Sequence, residues 1–97
     1  MKIYVRAASS IRVPWRYVVY SYDIDADEEI ESVKGFSGAK LDDAIKYAKK
    51  YASEHADEGE GAHVVIIPND EDDEDAVERM FEETGLEPFE VAWASYK

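Results

Sequence analysis

The chain has 97 residues, a formal charge of −12, 45% apolar residues, seven Tyr, two Trp and no Cys, which suits one domain with one core. This much aromatic and apolar material sets it apart from a disordered acidic tail, and the lack of Cys excludes disulfide frameworks, zinc ribbons and thiol nucleophiles. The charge is lopsided: residues 1–50 carry nine Lys or Arg against eight Asp or Glu, whereas residues 51–97 carry two against fifteen.

Such a field repels nucleic acid and anionic membrane and steers basic proteins toward the carboxy-terminal half. Seven of the eleven cations are Lys, so the Lys-depleted surface of a halophile is not the pattern here. Met1 to Arg6 lacks the uninterrupted apolar stretch of a signal peptide, and no run reaches the length of a membrane span. A cytoplasmic location is expected.

In chain order, Ile3-Tyr4-Val5 is a short β-type run, followed by a loop around Ser9, Ser10 and Pro14. Trp15 to Tyr22 is almost wholly β-branched and aromatic, which predicts a well-buried strand. Asp23 to Glu29 reads as a turn into a second hairpin strand, Ile30 to Val33, with a short helix capped by Asp25 and stopped by Gly35 as the alternative. Ser37 is the expected N-cap of the first helix, with Phe36 and Leu41 as a hydrophobic staple. Leu41, Ala44, Ile45, Ala48 and Ala52 recur on one face of that helix and Lys46, Lys49 and Lys50 on the other, so it should pack closely on a sheet and end near Ala56.

After the loop Asp57 to Gly61, His63-Val64-Val65-Ile66-Ile67 has the continuous apolar character of a central strand covered on both faces, closed by Pro68. A second helix should be capped by Asp70 or Asp72, bury Ala76, Val77, Met80 and Phe81, and stop at Gly85. Pro88 to Tyr96 alternates as a strand, with Phe89, Val91 and Trp93 on one side. The expected fold is α+β: a mixed sheet of about five strands with two helices over one face, in the order β-β-β-α-β-α-β over a single domain 1–97, its last strand–helix–strand unit a right-handed crossover.

Chemical signatures are sparse. The acids from Asp70 to Asp75 invite a calcium or magnesium reading, but an EF-hand counted from Asp70 would need Gly and Glu where Asp75 and Phe81 stand. Helix capping and solvated charge account for this run better. His55 and His63 are the only histidines. Without a nucleophile elbow, a phosphate loop or a dinucleotide fingerprint, they suit structural roles better than catalysis. Glycosidase-like carboxylate pairs require one acid in an apolar setting, whereas these acids sit in polar runs. Tyr47 and Tyr51 on the first helix, with Tyr17, Tyr20 and Tyr22 on the strand expected near it, form either a binding patch or, more commonly, the edge of a core.

The most informative feature is on the second helix. Glu71, Asp75, Glu78 and Glu82 follow at steps of three and four, a stripe with about 5–6 Å between neighbours, which costs a few tenths of a kcal/mol per pair. Arg79 is the one cation there to offset it. So close a set of negative charges is comparable to the phosphates of a nucleic-acid strand and suits a basic cleft; a merely solvated face is the plainer account.

Size, acidity and the absence of catalytic motifs resemble those of the small inhibitors that bacteriophages and mobile elements encode against nucleic-acid-processing enzymes, a likeness carried by no motif and lending no residue a role. The expectation is a non-enzymatic, acidic protein-binding module without cofactor or metal. It would dock Glu71, Asp75, Glu78 and Glu82 on a basic surface of a nucleic-acid-processing protein as a nucleic-acid mimic, with no direct binding of nucleic acid or membrane. One alternative is a structural or self-associating domain, a homodimer joining the lysine-bearing half to the acidic half. The other is a small ligand-binding domain or enzyme using His63 and a neighbouring carboxylate.

Overall fold

The computed structural model describes residues 13–95. Along them run β1 (Trp15–Asp23), β2 (Glu28–Ser37), α1 (Leu41–His55), a 3-10 turn (Ala56–Glu58), β3 (Glu60–Pro68), α2 (Glu74–Thr84) and β4 (Val91–Ser95). The strands form one sheet in the order β2-β1-β3-β4, and all three described pairings are antiparallel. The fold is α+β as expected, but the four described strands form an antiparallel sheet and not the expected mixed one. The strand expected at Ile3 to Val5 lies outside the described residues, as does Tyr96.

Asp23 to Val33 is the expected hairpin and not the alternative short helix. Asp23 accepts the Ala26 N–H, three residues on, at 3.0 Å, which holds the chain where it folds back, and Asp27 takes the left-handed conformation (φ 58°) that Asp tolerates better than most residues. β2 extends further than expected, to Ser37, and irregularities in its pairing occur on both sides of Tyr20.

β1 and β3 pair without interruption from Trp15 with Pro68 to Asp23 with Glu60, and alternation divides their side chains between two faces. Trp15, Tyr17, Val19, Ala62, Val64 and Ile66 join Ala44, Ala48 and Ala52 of α1 and Met80 of α2 in the main core. Val18, Val65 and Ile67 form a smaller buried cluster. β3 is buried from Gly61 to Pro68, as a central strand requires.

The three alanines of α1 allow the close approach to the sheet that their spacing predicts. Its start differs from the expectation: Ser37 ends β2 and its carbonyl accepts the Lys40 N–H at 3.0 Å, so Lys40 becomes the N-cap, without a side-chain bond. Phe36 and Leu41 still pack against the core, but not at the staple positions of a helix capped by Ser37.

The crossover is also corrected. β3 and β4 are antiparallel neighbours, so α2 lies in a connection that reverses the chain, and right-handed parallel crossover geometry does not apply. A shift in pairing between Val64 and Val65 breaks the alternation of β4. Trp93, opposite Val64, packs on the main core, whereas Val91, opposite Val65, is exposed. Phe89 lies outside the strand with φ 65° and is 52% exposed. No helix among the described residues is long and apolar enough to cross a membrane.

Candidate functional site

α2 is held by a narrow contact, which decides what it shows to solvent. Asp70 is occupied in a turn, its carboxylate accepting the Asp72 N–H at 3.0 Å. The cap is therefore Asp73, whose carboxylate accepts the Ala76 N–H at 3.1 Å, in place of the expected Asp70 or Asp72. Gly85 closes the helix in the left-handed conformation, donating to the Phe81 carbonyl at 2.7 Å. Only Ala76 and Met80 of the helix are fully buried, one turn apart.

At about 100° per residue, the direction opposite Ala76 and Met80 is the one along which Asp75, Glu78 and Glu82 project. All three are exposed. Glu71 is exposed too, but it sits in the turn before the cap, so it adds charge near the amino end of the stripe without being part of the helix. Arg79 does not neutralise the stripe. It pairs with Glu83 and lies with its guanidinium 5.9 Å from the centre of the Trp15 ring, on the flank of the helix.

Phe81 departs from the expected buried stripe and is 51% exposed. The contact with β1 and β3 is so narrow that Met80 alone of the helix joins the main core, with Ala76 buried beside it, and Phe81 is left beside Glu74 and Glu78 on the other flank. The outward surface of α2 is thus an anionic ridge bordered by one aromatic ring. An open cleft of about 500 Å³ lined by Val13, Pro14, Asn69, Asp73, Asp75, Ala76 and Arg79 runs along its amino end.

The two histidines do not meet. His63 lies on the opposite face of β3 from Ala62 and Val64, which pack beneath α1. It is 4% exposed, between Tyr20 (5.9 Å, edge-on) and Tyr22 (5.5 Å). Its Nε2 stands 2.5 Å from Glu29 Oε2 without hydrogen-bond alignment, and its Nδ1 has no hydrogen-bond partner among the described residues. The pair spans β1 from β3 to β2, which suits a clasp between strands.

The tyrosines are divided by the same geometry. Tyr17 is in the main core, and Tyr47 and Tyr51 pack against it from α1, while Tyr20 and Tyr22 surround His63 on the other face. No single tyrosine patch exists among them. Burial, followed by the charge of Glu60, pushes the Tyr51 hydroxyl above its ordinary pKa, so at neutral pH it is a donor, and it reaches Glu60 Oε1 at 3.4 Å.

Among the described residues, the side chains that could together hold a metal are His55, Glu58 and Glu60, not the Asp70 to Asp75 run. The sequence carries His-x-x-Glu-x-Glu at this helix end, a pattern passed over because Asp57 to Gly61 was read only as a loop. The exposure of Phe81 had no such signal, because helical periodicity does not reveal how wide a contact the helix makes. Comparison of the chain with known protein families, curated proteins and solved structures finds no match.

Proposed function

We propose that the protein is a non-enzymatic binding module that presents the outward face of α2 to a basic surface of a nucleic-acid-processing protein, occupying it as a phosphate backbone would. The observation that carries this reading is the placement of Asp75, Glu78 and Glu82 away from the buried side of α2, with the helix's one cation, Arg79, paired to Glu83 on the flank and Phe81 exposed at their border. Aligned carboxylates steer encounter with a basic surface and fix the register. An exposed aromatic at the border of such a ridge is the kind of group that anchors an interface.

The test is capture at low and moderate salt, followed by elution with duplex DNA. Wild type should retain a basic protein that DNA displaces, and Glu71→Gln, Asp75→Asn, Glu78→Gln and Glu82→Gln together should abolish retention. Retention by this variant equal to wild type, or a captured protein that DNA does not release, overturns the reading.

Self-association is favoured by a different observation: Lys46, Lys49 and Lys50 are all exposed on α1, a cationic strip that another copy's α2 would complement. A monomer by light scattering at high protein concentration and low salt eliminates it.

A further inference from the structure

We propose that His55, Glu58 and Glu60 form a binding site for one divalent transition-metal ion of the zinc class. The three come from consecutive pieces of structure: His55 is the last residue of α1, Glu58 ends the 3-10 turn, and Glu60 opens β3. Gly59, left-handed at φ 77° with its N–H on the Ala56 carbonyl at 3.1 Å, makes the reversal that brings both glutamates beside the histidine.

One ligand atom from each residue lies within 4.8 Å of the other two. Ligands about 2.0–2.2 Å from a tetrahedral zinc ion are about 3.4 Å apart. His55 Nδ1 and Glu58 Oε2 are already 3.3 Å apart, and the Glu60 carboxylate lies within 4.8 Å of both. Three protein ligands leave the fourth position to water, as in an open zinc site.

The surroundings hold the donors in place. Tyr51 stacks on the His55 ring with centres 4.1 Å apart and gives its hydroxyl to Glu60, so one side chain supports two of the ligands, as outer-shell partners of metal ligands do. The same corner concentrates negative charge. Glu58 and Glu60 approach each other without a Lys or Arg partner among the described residues, and the Asp25 carboxylate lies against Gly59. A dication relieves that repulsion. The imidazole selects among cations, because calcium and magnesium take oxygen ligands whereas zinc, nickel and copper take nitrogen readily.

The test uses the untagged full chain and zinc ion alone, followed by calorimetry and by the imidazole 15N resonances. One equivalent should bind, the His55 resonances should shift while those of His63 stay, and calcium should not compete at equal concentration. His55→Gln and Glu60→Gln should each weaken binding by about tenfold or more, and Glu78→Gln with Glu82→Gln should leave it within about twofold. Circular dichroism confirms that the variants fold, and the wild-type resonances test the site independently of them. The proposal is overturned if zinc leaves the His55 resonances unmoved, if the ligand variants bind as wild type does, or if the α2 variant loses as much affinity as they do, which marks diffuse binding to surface acids.

Discussion

Met80 is the residue on which the docking of α2 rests, and replacing it by Ala tests the architecture of the ridge. It is fully buried in the main core with Trp15 and Ile66, and Ala76 is the one other buried residue of the helix. At 11 residues, α2 is below the roughly 12–15 needed for even marginal independent stability. Burying a Met side chain contributes about 1.5–3 kcal/mol, while the stacking of exposed Arg79 on Trp15 adds only about 0.5–1 kcal/mol. Met80→Ala also leaves a cavity, so the expected cost is about 3 kcal/mol, within the 2–5 typical of such truncations. For an m-value of about 1.5 kcal/mol per M, the urea midpoint should fall by about 2 M, with amide protection lost first in α2. Met80→Leu, close in volume, should cost less than about 1.5 kcal/mol. A Met80→Ala loss under about 1 kcal/mol, or equal losses for the two variants, refutes the view that this side chain anchors the helix.

Removing the cap with Asp73→Ala takes away the bond to the Ala76 N–H and should cost about 1 kcal/mol in denaturant unfolding, whereas Asp72→Ala, lacking that bond, should cost less. Gly38→Ala would put a Cβ 2.5 Å from the Trp15 carbonyl oxygen and against Val13 Cγ2, an overpacking worth about 1–3 kcal/mol; Gly35→Ala, with open space around it, is the matched control. Burial raises the Tyr17 hydroxyl above its ordinary pKa of 10.0, partly offset by the Trp15 indole beside it. The unfolded chain therefore ionises first, and the contribution of Tyr17 is complete below pH 10 and lost as pH rises past it. Urea midpoints from pH 9 to 11 should fall more steeply for wild type than for Tyr17→Phe, and parallel profiles would contradict this.

Where one residue class dominates a segment, the fold was legible in the sequence. The aromatic and β-branched run of β1, the apolar run of β3 and the alanine spacing of α1 each have one good structural solution. Boundaries were less legible, because several acids compete for each cap. Asp70, Asp72 and Asp73 all suit the start of α2, and the choice depends on Asp70 being occupied with the Asp72 N–H, which no propensity encodes. The direction of β4 depends on tertiary pairing, since a 22-residue connection between β3 and β4 can serve a parallel or an antiparallel neighbour. Of the site, the exposed acids were readable from helical periodicity. The convergence of His55 with Glu58 and Glu60 required the turn at Gly59 to be known.

The acidic ridge and the histidine corner lie at opposite ends of β3, so they can be tested separately. Glu60 opens the strand, and Pro68, paired with Trp15 beneath Arg79, closes it; eight steps of about 3.3 Å give a separation of about 26 Å. Two unit charges at that distance in water interact by about 0.2 kcal/mol, and a screening length of about 8 Å at physiological salt removes most of even that. Neutralising α2 should therefore leave zinc affinity unchanged, and Glu60→Gln should leave capture of a basic partner unchanged. Loss of zinc affinity in the α2 variant would mark diffuse binding to surface acids, whereas loss of partner capture in Glu60→Gln would mean that the partner's footprint reaches the start of β3 and is not confined to α2.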